Sequence, residues 1–565
     1  MSETTVFDVI VIGAGLYGIQ SARTYLEIHP HDKLAILEAG KCLGGAWSRD
    51  RVYEYLRTQD SVSVAEFSDA PLELEPKDNF FGLFPATHMT RYLEDYARSH
   101  EYAGSTLEAR ILFNTRVKTV KKTEEHLWHV ELVGGGDLAR FLRARKIIDA
   151  SGITTEPELP NIANLSLFNG TQTHMKNLAS SDLFTNTTCN RVVVIGGAKS
   201  AADACYSAAR AGKTVYWIIR KSGNGPCFFA PAQASPPFKA PDEPLLTRIL
   251  FYILSSHFVE DTFFVRLLNR TAIGRSVIRF LWRLIERDFR KAANYDRPDP
   301  KGNGFKNLEP DTPLFWANDN TGVEQRDDFF DVIAENVKIF REDIAHMEAD
   351  AVVLADGTRI AADALIYGTG WKQTLGHYDP QTSLSLGLPV PLRLGPAATV
   401  DCHKWDALEF AAEKTVLNRF PILAHPPRFF KKEPKTTPYR LYQTIVPISD
   451  SSIVFVGRMS FVNSWRVAEV QSLWAVAALD GRIQALQSKA AVEKDVAETV
   501  VWCRRRYLNK GDIANWFLWD CVAYTDCLLR ELGLKSHLGK EGLLSPCRAK
   551  SLGGLVEEYK VKNCT

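Results

Sequence analysis

The chain has 565 residues and a formal net charge of +1, and 45% of its residues are hydrophobic. This length allows several packed domains, the composition is ordinary for a soluble protein, and the balanced charge gives no reason to expect nucleic-acid binding. The ten cysteines include no Cys-x-x-Cys pair, which argues against a metal site or a redox-active disulfide. Scattered thiols and the lack of an apolar segment before Val6 predict a cytoplasmic protein.

The first predicted element is a strand–turn–helix unit. A β-branched run at Val9–Ile12 indicates a buried parallel strand, helix formers follow from Ile19 to Leu26, and a second strand ends at Glu38. The turn consists of Gly13, Ala14, Gly15, Leu16, Tyr17 and Gly18. Its glycines permit a tight turn and the approach of a pyrophosphate, and the helix N-terminus offers N–H groups to the phosphates. Glu38 can bind ribose hydroxyls and would repel a 2′-phosphate, so this unit predicts a site for FAD or NAD.

The segment up to residue 160 is predicted to extend the same domain. It contains a helix over Met89–Tyr102, a β-hairpin over 110–135 that carries Val117, and a buried strand over Lys146–Gly152. A proline-containing linker then precedes the next unit.

A second strand–turn–helix unit occupies residues 191–221, with a predicted helix over Ala202–Ala211. Its turn consists of Gly196, Gly197, Ala198, Lys199 and Ser200. The tip of its second strand carries Arg220 instead of an acid, and a guanidinium there suits the 2′-phosphate of NADPH. Ala198 and Ala201 replace two glycines of the usual pattern, and we expect the methyl group at 198 to push the pyrophosphate outward.

The remainder of the chain is predicted to form a helical insertion in the second unit and then to return to the first domain. Prolines crowd the loop after residue 225, residues 245–295 look helical, and strands at Ala364–Tyr367 and Ile453–Gly457 precede a mostly helical C-terminal part. The predicted fold class is α/β, with two Rossmann-type dinucleotide-binding domains, the NADP domain being inserted into the FAD domain. The predicted divisions are 1–160 for the first part of the FAD domain, 161–360 for the NADP domain with its helical insertion, and 361–565 for the return and the C-terminal helices.

Residues 245–291 raise the question of membrane contact. The apolar run Leu245–Phe258 is too short to span a bilayer. Six arginines follow it at a spacing near four, namely Arg266, Arg270, Arg275, Arg279, Arg283 and Arg287. Such a stripe fits either an interfacial helix on anionic lipid or the solvated face of a packed helix. The sequence favours the solvated face, so peripheral membrane contact is the minor alternative.

Several motifs together resemble the flavin-containing (class B) monooxygenases. In chain order they are Gly44-Gly45-Ala46-Trp47, Leu56-Arg57-Thr58-Gln59, Phe67-Ser68-Asp69-Ala70-Pro71, the fingerprint segment Phe168–His174, the glycine turn Tyr367–Gly370, and Glu469 with Gln471–Trp474. The resemblance covers residues 6–480 and is weakest at 225–350. It implies an enzyme that binds both FAD and NADPH.

The resemblance also implies which residues hold each group. FAD is assigned to Gly13, Ala14, Gly15, Leu16, Tyr17, Gly18, Glu38, Gly45, Trp47 and Val117, and NADPH to Gly196, Gly197, Ala198, Lys199, Ser200 and Arg220. Gln59 stands where the family has an Asn that holds the oxygenated flavin and the bound NADP⁺, and it offers the same donors and acceptor one methylene farther out. Gln59 is therefore the predicted catalytic residue, and His174 is expected to be structural.

The resemblance implies that the reduced flavin forms a C4a-(hydro)peroxide with O₂ and oxygenates a small organic substrate. The type of oxygen transfer stays open, because Leu178 replaces the aromatic residue that ends the fingerprint. Similarity to fungal biosynthetic members implies hydroxylation or epoxidation of a polyketide-like secondary metabolite, with Baeyer–Villiger insertion as the alternative. The same motifs also allow an NADPH–flavin reductase that never activates oxygen, or a nucleotide-sensing protein without chemistry. No metal site is predicted.

Overall fold

The computed structural model describes residues 6–134, 140–234, 236–318, 321–324, 326–392, 396–538 and 541–563. The strands are β1 (Val6–Ile12), β2 (Leu34–Leu37), β3 (Glu101–Tyr102), β4 (Ser105–Thr106), β5 (Ile111–Leu112), β6 (Thr115–Lys122), β7 (Trp128–Gly134), β8 (Phe141–Asp149), β9 (Thr171–His174), β10 (Arg191–Ile195), β11 (Thr214–Ile218), β12 (Phe228–Pro231), β13 (Thr321–Glu324), β14 (Val337–Phe340), β15 (Ile344–Met347), β16 (Ala351–Leu354), β17 (Arg359–Ala361), β18 (Ala364–Tyr367), β19 (Leu441–Tyr442), β20 (Val446–Pro447) and β21 (Ile453–Phe455). The helices are α1 (Leu16–Ile28), α2 (Thr87–Ser99), α3 (Lys199–Arg210), α4 (Phe251–Leu254), α5 (Phe263–Arg270), α6 (Ala272–Ala293), α7 (Phe329–Asn336), α8 (Pro380–Ser385), α9 (Pro396–Arg419), α10 (Ser464–Leu479), α11 (Lys489–Tyr507), α12 (Cys521–Glu531) and α13 (Leu555–Asn563).

The first sheet has the strand order β5-β2-β1-β8-β7-β6, and β21 also pairs with β8. Its central strands run parallel, while β6, β7 and β8 pair antiparallel. Both faces of β1 are covered: Val9 and Val11 pack into the cluster that contains α1 and α10, and Ile10 and Ile12 pack into the cluster that contains the β6–β7 hairpin. Burial on both faces explains why β1 is a continuous apolar run.

The second sheet is parallel throughout, in the order β14-β11-β10-β18-β9. Val192 and Val194 of β10 pack against α3, whereas Val193 and Ile195 pack against the antiparallel strands β15, β16 and β17. The predicted two-unit α/β fold is confirmed by these parallel sheets. Because β18 is a strand of this sheet, the second sheet extends to Tyr367, past the predicted division at residue 360.

Helices from the C-terminal part return to the first sheet. The α10 helix packs along α1, where the Ser472 and Ser21 hydroxyls lie 2.8 Å apart. The α9 helix is not among the predicted elements. Within the described ranges, every helix is too short or too polar to cross a lipid bilayer.

Candidate functional site

The first glycine turn joins β1 to α1 and is fixed by close backbone contacts. Gly13 has a φ of +99°, and a β-carbon there would lie 2.7 Å from the Ala150 carbonyl oxygen. A β-carbon at Gly18 would lie only 1.9 Å from the Gly13 carbonyl oxygen. The fold itself therefore requires glycine at both positions.

Gly15 is different, because the protein itself leaves room at this position. Among the described residues, a β-carbon there would meet only Gly45, whose Cα atom would lie at 3.5 Å and whose nitrogen at 3.9 Å, and both are ordinary van der Waals contacts. Gly15 is the N-cap of α1, and no side chain caps the helix. The first N–H groups of α1, which no side chain caps, thus lie at an open cradle of the kind that accepts a pyrophosphate.

Glu38 lies across this turn, directly after β2. Its carboxylate accepts hydrogen bonds from the backbone N–H of Ala14 at 2.8 Å and of Gly40 at 2.7 Å. The Glu38 carbonyl accepts from the Thr115 N–H at 2.8 Å, which brings the start of β6, and with it the half-buried Val117, to the same end of the sheet. The carboxylate is held in place while keeping acceptor capacity for ribose hydroxyls.

The Gly44–Trp47 loop closes the other side of the turn. The Gly44 N–H donates to the Ala14 carbonyl at 2.8 Å, and Gly45 lies against Gly15. The Trp47 carbonyl accepts a hydrogen bond from the Thr90 hydroxyl at 2.6 Å. The structure therefore brings together the turn, Glu38 and this loop, and the group fits the pyrophosphate and ribose of FAD.

The remaining two turn residues lie in the first turn of α1. Leu16 is buried, and the half-buried Tyr17 ring occupies space left by Gly457, where a β-carbon would lie 2.5 Å from a ring carbon. These side chains fix the helix against the strand that returns from the C-terminal part.

The second glycine turn joins β10 to α3. Gly196 has a φ of +140°, and a β-carbon there would lie 2.2 Å from the Gly368 carbonyl oxygen. Gly197 is similarly crowded by the Gly225 carbonyl oxygen at 2.3 Å. Ala198 is the N-cap of α3 with a φ of −95°, so alanine fits there without backbone strain.

The second alanine of this turn, Ala201, fits because its neighbour is a glycine. A β-carbon at Gly368 would lie 2.7 Å from the β-carbon of Ala201. The glycine that usually allows close helix–strand packing at the end of the turn is thus replaced by an alanine facing a glycine on the loop after β18.

The α3 helix begins at Lys199, three residues before the predicted start. Its ammonium group pairs with the carboxylate of Asp203, one turn farther along the helix. The Lys199 side chain is therefore engaged within the protein, and what it offers at the helix N-terminus is its backbone N–H. Ser200 follows in the same half-buried turn, and no side chain caps the helix.

Arg220 lies just after β11 and differs from its neighbour. Lys221 forms an ion pair of 2.6 Å with Glu342. Among the described residues, the half-buried Arg220 side chain forms no ion pair or hydrogen bond. Its guanidinium is therefore available at the strand tip where a 2′-phosphate would lie.

The loop that carries Gln59 lies between the two nucleotide-binding units. The Tyr53 hydroxyl donates to Asp203 of α3 at 2.8 Å, and the Arg326 guanidinium donates to the Tyr55 carbonyl. The Gln59 side chain is exposed. The loop is thus fixed to the second unit on one side of Gln59.

On its other side the loop is held by the insertion after the second unit. The buried Asp242 accepts hydrogen bonds from the Ser61 N–H at 2.8 Å and the Ser61 hydroxyl at 3.0 Å. Burial raises the pKa of Asp242 to about 6 against these hydrogen bonds, and burial together with the charge of Asp242 raises the pKa of Asp60 well above its usual value. Two carboxyl groups with raised pKa values therefore lie next to Gln59, one on its loop and one on the insertion.

The chain has clear relatives among known proteins. Residues 10–227 match the family described as pyridine nucleotide-disulphide oxidoreductase. The chain is 30% identical to the FAD-dependent monooxygenase resA of Aspergillus sclerotiorum, covering 98% of each chain, and 30% identical to an FAD-dependent monooxygenase of Pyrenophora dematioidea, covering 95% of this chain and 100% of the relative. The chain belongs to the FAD-dependent monooxygenases.

A solved structure supports the fold of this FAD-dependent monooxygenase. The crystal structure of OTEMO in complex with FAD and NADP superimposes with a TM-score of 0.60 and covers 95% of this chain and 99% of that one. At 16% sequence identity, the match shows a shared fold.

Cysteine placement in this monooxygenase does not resemble a disulfide reductase. Cys42, the cysteine nearest the first turn in sequence, donates to the Asp50 carboxylate at 3.3 Å, and burial raises the pKa of its thiol. Eight cysteines are free thiols, namely Cys42, Cys189, Cys205, Cys227, Cys503, Cys521, Cys527 and Cys547. Disulfide exchange requires a low-pKa thiol, whereas Cys42 is a free thiol whose pKa is raised.

The fingerprint segment of the monooxygenase includes β9, the edge strand of the second sheet. His174 is buried; its Nδ1 accepts from the Lys176 N–H at 3.1 Å, so its Nε2 donates to the Gly370 carbonyl at 3.1 Å. Burial lowers the pKa of His174. Leu178 packs in the apolar cluster around α3. These contacts support a structural role for the segment.

The α10 helix of the monooxygenase covers the first turn from the C-terminal side. Glu469 accepts a hydrogen bond from the Ser68 N–H at 3.0 Å, and burial raises its pKa to about 7. Gln471 accepts from the Gly457 N–H at 2.8 Å. Both contacts hold motif residues in place.

Proposed function

We propose that the chain is an NADPH-dependent FAD monooxygenase that transfers one oxygen atom of O₂ to a small organic substrate. The observation that carries the proposal is the contrast between the two strand tips. Glu38 faces the first turn, whereas Arg220, whose side chain has no partner in the part of the chain that the structure describes, follows the strand of the second. An acid selects against a 2′-phosphate and a guanidinium selects for it, so FAD is assigned to the first unit and NADPH to the second.

FAD, when bound and reduced by NADPH, supplies the oxygen activation. The chain binds the pyrophosphate at the cradle beside Gly15 and orients the ribose through Glu38. Gln59 is assigned the hydrogen bonds that keep the nicotinamide nucleotide and the flavin ring in register, because its loop is tied to the second unit through Tyr53. The role of Gln59 is to limit the release of hydrogen peroxide.

The substrate is proposed to enter between the Gln59 loop and the insertion. Asp242 brings this insertion to Ser61, two residues after Gln59. A polyketide-like secondary metabolite is the proposed substrate class, with hydroxylation or epoxidation as the reaction, and the similarity to fungal FAD-dependent monooxygenases supports it.

Two other reactions are compatible with the same cofactors. Baeyer–Villiger insertion would convert a ketone into an ester, and a reductase would pass electrons from NADPH to the flavin without oxygenating a substrate. The solved relatives share the fold and do not separate these reactions.

Isotopic oxygen distinguishes them. The purified flavoprotein is supplied with NADPH, ¹⁸O₂ and a panel of aromatic polyketides, olefins and ketones, and products are analysed by mass spectrometry. We expect one ¹⁸O atom in a hydroxylated or epoxidised product. Labelled esters from ketones alone would establish Baeyer–Villiger insertion. Complete recovery of the consumed O₂ as hydrogen peroxide with every substrate would contradict the monooxygenase proposal.

A further inference from the structure

The helices α5 and α6 expose an unusual number of large apolar side chains. Phe263 is 66% exposed and Phe264 61%, both at the start of α5. On α6, Ile273 is 80% exposed and Phe280 59%. Single exposed apolar residues are common on protein surfaces, but a run of aromatic and branched side chains on two consecutive helices indicates a binding surface.

This exposure is not a sign of a poorly packed helix. The opposite side of α6 is anchored through the buried residues Gly274, Ile278 and Trp282. The Trp282 indole N–H donates to the Ile253 carbonyl at 2.9 Å. A β-carbon at Gly274 would lie 2.4 Å from the Leu267 carbonyl oxygen, so the corner between α5 and α6 is tight. The exposed face is therefore held in a fixed orientation.

The exposed apolar residues of α6 lie on one line. Ile273, Val277 and Phe280 are spaced by four and three residues, which places them on one face of the helix. Arg279, Arg283 and Arg287 are spaced by four and form an exposed stripe beside that line. An apolar stripe bordered by arginines is the pattern of a helix that lies in a membrane interface.

The charge of this surface is strongly positive. Residues 263–293 contain eight basic and two acidic side chains, although the whole chain has a net charge of only +1. Arg279 and Arg283 are exposed and form no ion pair with any described residue. Docking of a second copy would place two such cationic faces against each other, so the charge favours an anionic partner surface.

The apolar surface continues beyond the two helices. The Tyr252 ring packs edge-to-face on Phe264 at 6.1 Å. One turn earlier, the Ile249 N–H donates to the Leu543 carbonyl at 2.9 Å, and Ile249 and Leu543 are 42% and 53% exposed. Elements from two distant parts of the sequence thus contribute to one side of the molecule.

We propose that α5 and α6 form a membrane-docking face that inserts Phe263, Phe264, Ile273 and Phe280 into the headgroup–acyl boundary of an anionic bilayer. The arginine stripe contacts the lipid phosphates, and the buried side of α6 keeps the enzyme body above the surface. Attachment of this kind is peripheral and reversible. The sequence favours a solvated helix face over membrane contact. The structure favours membrane contact, because it places apolar side chains, and not only arginines, on the exposed side.

Vesicle flotation of the FAD-loaded enzyme tests the proposal. Vesicles of phosphatidylcholine alone are compared with vesicles that also contain phosphatidylserine. We expect flotation with the anionic vesicles, weakening as salt is added. The double variant Phe263→Ser/Phe264→Ser should bind at least about tenfold more weakly, and Arg279→Gln/Arg283→Gln about thirtyfold more weakly.

Matched controls separate docking from general loss of apolar surface or charge. Phe410→Ser removes a side chain that is 82% exposed on α9, and Arg143→Gln/Arg482→Gln removes two exposed arginines elsewhere. Both controls should float like the unaltered enzyme, and all variants should keep bound flavin.

Three outcomes would overturn the proposal. They are absence of flotation by the unaltered enzyme, equal flotation with neutral vesicles, and unchanged flotation of the α5 and α6 variants. A dimer in sedimentation that Phe263→Ser/Phe264→Ser abolishes, without any flotation, would assign this face to a second copy instead. None of these results depends on the reaction that the enzyme catalyses.

Discussion

The Tyr53 hydroxyl donates a 2.8 Å hydrogen bond to Asp203, a residue 150 positions later in the chain. Asp203 is buried on α3 and also pairs with Lys199 at the N-terminal end of that helix. Six residues after Tyr53 the same loop carries Gln59. One hydrogen bond thus links the position of the predicted catalytic side chain to the helix that is proposed to bind the nicotinamide nucleotide.

Replacing Gln59 with Leu should uncouple NADPH oxidation from substrate oxygenation. Leu has a similar size but no donor or acceptor, so the nucleotide and the flavin lose the hydrogen bonds assigned to Gln59. We expect hydrogen peroxide release per NADPH consumed to rise about tenfold, measured with a peroxidase-coupled assay. Gln59→Asn keeps the amide and should remain largely coupled. Equal coupling in the Leu variant and the unaltered enzyme would remove Gln59 from the mechanism.

Replacing Arg220 with Ala should weaken the binding of NADPH without weakening the binding of NADH. Loss of a charge-assisted contact to the 2′-phosphate should raise the KM for NADPH by about 10- to 100-fold and leave the KM for NADH unchanged. Lys221→Ala is the matched control, because Lys221 already pairs with Glu342 and should change either KM little. A parallel loss with both nucleotides would argue against the phosphate contact.

The glycines Gly15 and Gly18 of the first turn should respond differently to alanine. At Gly15 the added methyl fits the protein but fills the cradle, so the apoprotein should melt normally while FAD affinity falls at least about tenfold. At Gly18 the methyl would collide with the Gly13 carbonyl, so the apoprotein itself should lose about 1–3 kcal/mol or more. Thermal melts and flavin fluorescence titrations measure the two effects separately. Loss of apoprotein stability in Gly15→Ala would contradict the assigned phosphate cradle.

Asp242 should make the protein less stable in alkaline solution. Its pKa is raised to about 6 by burial, so folding favours the protonated form. This stabilisation is complete below the usual pKa of an aspartic acid and is lost as the pH rises through 6. Asp242→Asn should therefore stabilise the protein at pH 8 by up to about 3 kcal/mol and have much less effect at about pH 5, as read from denaturation midpoints.

Asp363 provides a control of opposite sign. The Arg191 guanidinium and the backbone N–H groups of Asn190 and Arg191 hold its pKa at about 2. Its stabilisation is present above the usual aspartic acid pKa and is lost as the pH falls toward 2. Asp363→Asn should therefore lower stability at both about pH 8 and about pH 5. The same pH response in both variants would contradict the assignment at Asp242.

The parts of the fold that the sequence predicts well are local. The turns at Gly13–Gly18 and Gly196–Ser200 lie within units of about 30 residues whose strands, turns and helices follow one another directly. The α9 helix is not predicted, because its apolar residues do not gather on one face and give no periodic signal. The membership of β18 in the second sheet depends on pairing with β10 across the whole insertion.

In the candidate site, too, local features are predicted from the sequence and long-range contacts are not. Glu38 and Arg220 can be predicted from the sequence because each follows its own glycine turn at a set distance. The Ser61–Asp242 contact joins residues 181 positions apart, so no local pattern indicates it. The engagement of Lys199 with Asp203 depends on where α3 begins, and the predicted start lies three residues too late.

The pairing of Ala201 with Gly368 changes how such turns are to be recognised in other sequences. A search pattern that demands glycine at the last position of the turn would discard this chain, although the helix and strand approach as closely as the turn requires. The close approach leaves room for only one β-carbon between two residues that lie 167 positions apart in sequence. Glycine at position 201 would remove only the contact between the two β-carbons, because a β-carbon at position 368 would still lie 3.0 Å from the Cα atom and 3.1 Å from the backbone nitrogen of residue 201. Position 368 is therefore the stricter of the two, and a glycine there identifies this form of the turn.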